Sequence, residues 1–80
     1  MYEKTVRSIL AEHSKLSVEL DTLQNDSDLY EAGLTSLTTV NVMLAIEDHF
    51  DVEFDDSMLA RATFQSVGTL VDAVEELLDR

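Results

Sequence analysis

Eighty residues with 17 acidic against five basic side chains carry a formal charge of −12. That balance excludes nucleic-acid phosphates and anionic membrane surfaces as partners, because both would repel the chain, and points to basic protein surfaces instead. Cysteine is absent, which removes disulfides, thiolate metal sites and cysteine nucleophiles together.

The 45% of hydrophobic residues is too high for a disordered acidic tail. A single domain over residues 1–80 is expected, with a small core, since a chain this short buries roughly 60% of the surface its unfolded form exposes. The start, "MYEKTVRSIL", is charged and helical in pattern, unlike a secretory leader. The longest apolar stretch, "VMLAI" (42–46), is too short to cross a membrane, so a cytoplasmic protein is expected.

In chain order, Val6, Ile9, Leu10 and His13 line one face of a first helix between about Tyr2 and His13. A long connection follows to Thr35, where Leu16, Val18, Leu20, Leu23 and Leu29 are separated by polar residues and "NDSD" (25–28) is turn chemistry. Asp28 can cap a single turn, "LYEA", which Gly33 ends. The second helix runs from about Ser36 to Phe50, and a short helix is expected near Ser57 to Arg61. Ser66 then caps a last helix whose apolar stripe is Val67, Leu70, Val71, Val74, Leu77 and Leu78. The fold class is all-α: a small four-helix bundle of three main helices plus a short third one, with a long loop between helices 1 and 2.

The second helix is apolar on two arcs. At 100° per residue, Val42, Met43, Ile46 and Phe50, with Thr39 among them, form its core side. Leu37, Val40 and Leu44 lie about a third of a turn away, with Glu47, Asp48 and Asp51 beside them. A domain this small cannot bury both arcs. An exposed apolar strip fringed with acids suits a basic, partly apolar partner, although Leu37 and Leu44 packed under the long loop is the plainer alternative.

Ser36 heads that helix. A serine before an apolar run is ordinarily an N-cap, but Thr35 can also cap, which would leave the Ser36 hydroxyl free. As a nucleophile Ser36 fails locally: the G-x-S-x-G pattern would need glycine where Leu34 and Thr38 stand. Of the two imidazoles, His49 lies almost four turns along the same helix, too far to act as a base, and His13 cannot be set against Ser36 from spacing. Calcium-loop registers fail too. From Asp26 the sixth and twelfth positions are Glu31 and Leu37, and from Asp51 they are Asp56 and Ala62, not the glycine and glutamate required. No catalytic residue and no metal site is expected.

The stretch "AGLTSLTTVNVMLAIEDHFDVEF" (32–54) resembles the acyl carrier protein family, in which a serine, usually within Asp-Ser-Leu, opens the second helix. The likeness extends along essentially the whole chain, through the helix order, the acidic crossover and the "TF" before the last helix. It implies that Ser36 receives 4′-phosphopantetheine from coenzyme A, that the arm's thiol bears an acyl or aminoacyl thioester, and that the protein is no enzyme. It further implies a phosphopantetheinyl transferase, a loading ligase or synthetase and downstream transferring enzymes as partners of a free-standing, monomeric carrier. Their expected docking face is Leu37, Val40, Leu44, Glu47, Asp48 and Asp51. The chain departs from the family at Thr35, Thr38 and Asn41, where acids are usual, and at Asp55, where proline is usual. The neutral first turns suggest a narrower set of partners than a general fatty-acid carrier has. In such fatty-acid carriers the chain slips between helices, a space that Val42, Met43, Ile46, Phe50 and Phe54 are expected to line here. Aminoacyl or short-acyl cargo and longer acyl chains both remain open, and an acidic helical interaction module without a prosthetic group is the alternative.

Overall fold

A computed structural model describes residues 2–14, 16 and 22–79. Among them are three α-helices, α1 (Glu3–His13), α2 (Ser36–Phe50) and α3 (Val67–Leu78), and no strand. Val18 and Leu20 of the expected loop lie outside the described residues.

Each helix forms where the sequence supplies an apolar stripe, but the stripes differ in width. From α1, Val6, Ile9 and Leu10 are buried. His13 does not continue that face: its side chain is exposed, 3.7 Å from Glu12. Helix α3 buries Val67, Leu70, Ala73, Val74 and Leu77, while Val71 is half-buried and Leu78 lies at the surface. Helix α2 buries only Val42 and Ile46.

The expected short helix is absent. Two 3₁₀ turns, Asp56–Met58 and Arg61–Phe64, take its place, closed by i→i−3 bonds such as Met58 N–H to Asp55 O (2.9 Å) and Thr63 N–H to Ala60 O (3.0 Å). The reason lies in the core. Met58 and Phe64 are both buried, and one continuous helix would set them about 120° apart. Breaking the helix at Leu59 and Ala60, where Ala60 is extended, lets both side chains turn inward. The architecture is therefore three α-helices with two tight turns where a fourth helix was expected.

The long connection is tied to α3. Leu29 N–H donates to Gln65 O (2.7 Å), and Gly68 N–H donates to Asn25 O (2.9 Å). A Cβ on Gly68 would stand 3.2 Å from that same Asn25 oxygen, a tight contact that would press the loop outward by a few tenths of an ångström. Arg7 of α1 completes the clamp by donating to Leu23 O and Asn25 Oδ1, each at 2.9 Å. Leu29 and Leu34 are buried by this closure.

Ser66 starts α3 with a full capping box. Thr69 N–H donates to Ser66 Oγ (3.2 Å) and Ser66 N–H to Thr69 Oγ1 (3.0 Å). Because Ser66 is itself buried, Ser66→Ala should lower stability by about 1–2 kcal/mol. Urea titration should show a lower midpoint with an unchanged slope.

Candidate functional site

The site is built at the head of α2. Asp28 Oδ1 accepts from Tyr30 N–H (2.9 Å) and Glu31 N–H (3.4 Å), and the turn it starts closes through Ala32 N–H to Asp28 O (3.2 Å). Gly33 ends it with φ 118°, a conformation that L side chains rarely adopt. Leu34 then drops into the core, and the chain enters α2 at Thr35 in extended form.

Thr35 is the N-cap. Its Oγ1 accepts from Thr38 N–H (3.2 Å), while its own N–H donates to Thr38 Oγ1 (2.9 Å). The capping work thus belongs to two threonines. Ser36, the first helical residue, is exposed, and among the described residues its hydroxyl has no protein partner. The amides of Ser36 and Leu37 lie in the first turn, where no intrahelical carbonyl can accept them, at the positive end of the helix dipole. No acidic side chain sits in that turn. A phosphate group bonded to the Ser36 oxygen would therefore meet unpaired donors and no carboxylate of that turn, so these residues fit a phosphopantetheine arm.

Beside Ser36 opens a cleft of about 420 Å³. Helix α2 lines it with Ser36, Thr39, Val40 and Met43, and Tyr30 closes one end. Leu59, Ala60, Arg61 and Phe64 form the opposite wall. The lining differs from the one expected from the helical pattern. Val42 and Ile46 are fully buried behind it. Phe50 stacks edge-on against Tyr2, and Phe54 packs on Phe64, with ring centres 5.6 Å apart in each case. Only Met43 of that expected set reaches the cleft. Tyr30, Leu59, Ala60 and Arg61 are not singled out as cleft residues by the sequence, because the α2 wall and the 59–64 wall are joined by tertiary packing between segments roughly twenty residues apart.

Leu37, Val40 and Leu44 are 73%, 47% and 54% exposed, so the second arc of α2 is left open. Asp48 and Asp51 are exposed beside it. Glu47 is only half-exposed, and one of its carboxylate oxygens accepts from Phe54 N–H (2.9 Å), which pins the chain as it leaves the helix. Asp51 ends α2 in the left-handed conformation, φ 55°. His49 is exposed, packs edge-on against Phe50 and lies almost four turns from the head of α2 along the helix.

A family profile described as "Phosphopantetheine attachment site" matches residues 4–74, and the chain belongs to that family. It is a carrier protein whose prosthetic group is a covalently attached 4′-phosphopantetheine, bearing an acyl or aminoacyl group rather than catalysing a reaction. An aminoacyl carrier protein of Agrobacterium fabrum is 44% identical over 75 residues, covering 94% of this chain and 90% of that protein. The fold matches, at TM-score 0.90 and 41% identity, a carrier protein from Agrobacterium tumefaciens. That protein's crystal structure is a complex with an engineered Bradyrhizobium japonicum glycine:[carrier protein] ligase and ATP, and the match covers 95% of this chain and 99% of that one. The holo acyl carrier protein of Nitrosomonas europaea matches at TM-score 0.87 and 33% identity, over 100% of this chain and 99% of that one.

If Thr35 alone caps α2, Thr35→Ala should cost about 1 kcal/mol of stability. It should still leave Ser36 open to modification, which intact mass after transferase treatment will read.

Proposed function

We propose that Ser36 is the residue that takes the arm, its hydroxyl oxygen forming the phosphodiester. The observation that carries this reading is the division of labour at the head of α2, where Thr35 and Thr38 close the capping box and the Ser36 hydroxyl stays exposed, with no partner among the described residues. When bound, the group supplies a thiol on which cargo is held as a thioester. The chain's own part is to present that arm from a rigid helix end, with unpaired amides toward the phosphate.

The cargo we propose is an aminoacyl group, glycine or another small amino acid, loaded by a ligase of the kind crystallised with the similar Agrobacterium tumefaciens carrier. The 44% identity to an aminoacyl carrier supports this choice over a long acyl chain. The neutral first turns of α2 agree with a narrow set of partners. Leu37, Val40 and Leu44 form the docking strip, and Asp48 and Asp51 attract basic groups at its edge. Glu47 contributes negative charge while bracing Phe54. A phosphopantetheinyl transferase and the loading ligase use this same face. We place the protein in the cytoplasm, and among the described residues no helix is long and apolar enough to cross a membrane.

Incubation with coenzyme A, magnesium and a broad-specificity phosphopantetheinyl transferase should add the mass of one phosphopantetheine to the wild type and none to Ser36→Ala. A mass gain that survives in Ser36→Ala would move the attachment point elsewhere.

Truncating the strip tests docking. Leu37→Ala with Leu44→Ala should change unfolding free energy by no more than about 0.5 kcal/mol, as both side chains are exposed. Loading by an aminoacyl ligase should fall about tenfold in kcat/KM. Unchanged loading kinetics would place the docking face on another surface.

A further inference from the structure

Arg61 is chemically out of place in this protein. It is one of five basic residues among 17 acids, yet among the described residues no carboxylate forms an ion pair with its guanidinium. Instead the guanidinium carbon lies 3.8 Å from the centre of the Tyr30 ring, and the Tyr30 hydroxyl donates to the Arg61 backbone oxygen at 3.4 Å. The cation is thus held over an aromatic face.

Arg61 lines the same cleft as Ser36. The remaining walls are apolar or carry only hydroxyls, from Thr39, Val40, Met43 and Phe64 among others. Arg61 is the one charged lining group, Tyr30 the one other ionisable group, and no carboxylate of the lining compensates a second positive charge. Beside apolar walls, like charges repel more strongly than in open solvent.

We infer that Arg61, stacked on Tyr30, is a charge-selective residue that decides which cargo the cleft shelters. Short acyl groups without positive charge enter beside Met43. The α-ammonium of an aminoacyl group is turned away, so an aminoacyl thioester stays in solvent, open to partner enzymes. This inference rests on the reading of Ser36 as the attachment point and deepens it, by naming a residue that keeps an amine on display.

The test uses two isosteric cargoes, propionyl and glycyl, which differ by a methyl in place of an ammonium. Each is installed on Ser36 from an amide-linked coenzyme A analogue by a phosphopantetheinyl transferase, with intact mass confirming the modified residue. Methyl NMR of Met43 and Ala60, on the two cleft walls, reads occupancy. At pH 6.5 the propionyl arm should shift these signals about threefold more than the glycyl arm. At pH 9, above the ordinary α-amino pKa of about 8, the glycyl arm should approach the propionyl one. Arg61→Gln should make the two cargoes alike at both pH values, whereas Arg61→Lys, which keeps the charge, should preserve the difference. Equal shifts in the wild type at pH 6.5, or a difference that persists in Arg61→Gln, would overturn the inference and leave the attachment reading intact. No mass gain on Ser36 would overturn both.

Discussion

Helix α2 is held to the body of the protein along a narrow stripe, Val42 and Ile46, with Met43 and Phe50 only half in contact. A fifteen-residue helix anchored so sparsely leaves most of its circumference for other uses. Leu37, Val40 and Leu44 face solvent on one side, and Thr39, Val40 and Met43 border a cleft on the other. Among the described residues no further layer covers either surface. The same shortage of core that limits stability therefore leaves the exposed apolar strip and the cleft.

A weakly anchored helix needs its ends fixed, and both are. At the start, the Thr35–Thr38 capping box closes the first turn without using Ser36. At the end, Asp51 turns left-handed, its amide bonding to Glu47 O, and the Glu47 carboxylate reaches over to Phe54 N–H. Cap and brace together hold the head of α2 in a defined place. An arm on Ser36 would then leave from a rigid point, and a covalent carrier requires that if partner enzymes are to find its cargo.

The second wall of the cleft depends on a different economy. Met58 and Phe64 must both enter the core from a short crossover, and two 3₁₀ turns achieve this where one helix could not. The residues pushed outward by that solution, Leu59, Ala60 and Arg61, are the ones that line the cleft. The loop clamp of Asn25, Gly68 and Arg7 sets the other boundary, because it fixes the turn from which Tyr30 projects. Arg61 and Tyr30 meet only when both constraints are satisfied.

Patterning along the chain determined the helix order, the caps at Asp28, Thr35 and Ser66, and the two apolar arcs of α2, since all of these depend on neighbours within a few residues. It also set Ser36 apart, because a second hydroxyl beside it made the cap redundant. Which residues stand behind the cleft and which line it was decided by tertiary structure alone. Val42 and Met43 are adjacent and both apolar, yet one is sealed in the core and the other faces the cleft. His13 fits the periodicity of α1, but the bundle leaves the end of that helix without a neighbour to bury it. The crossover resisted a local reading for the same reason: its propensity allows a helix, and only the need to bury Met58 and Phe64 together breaks it.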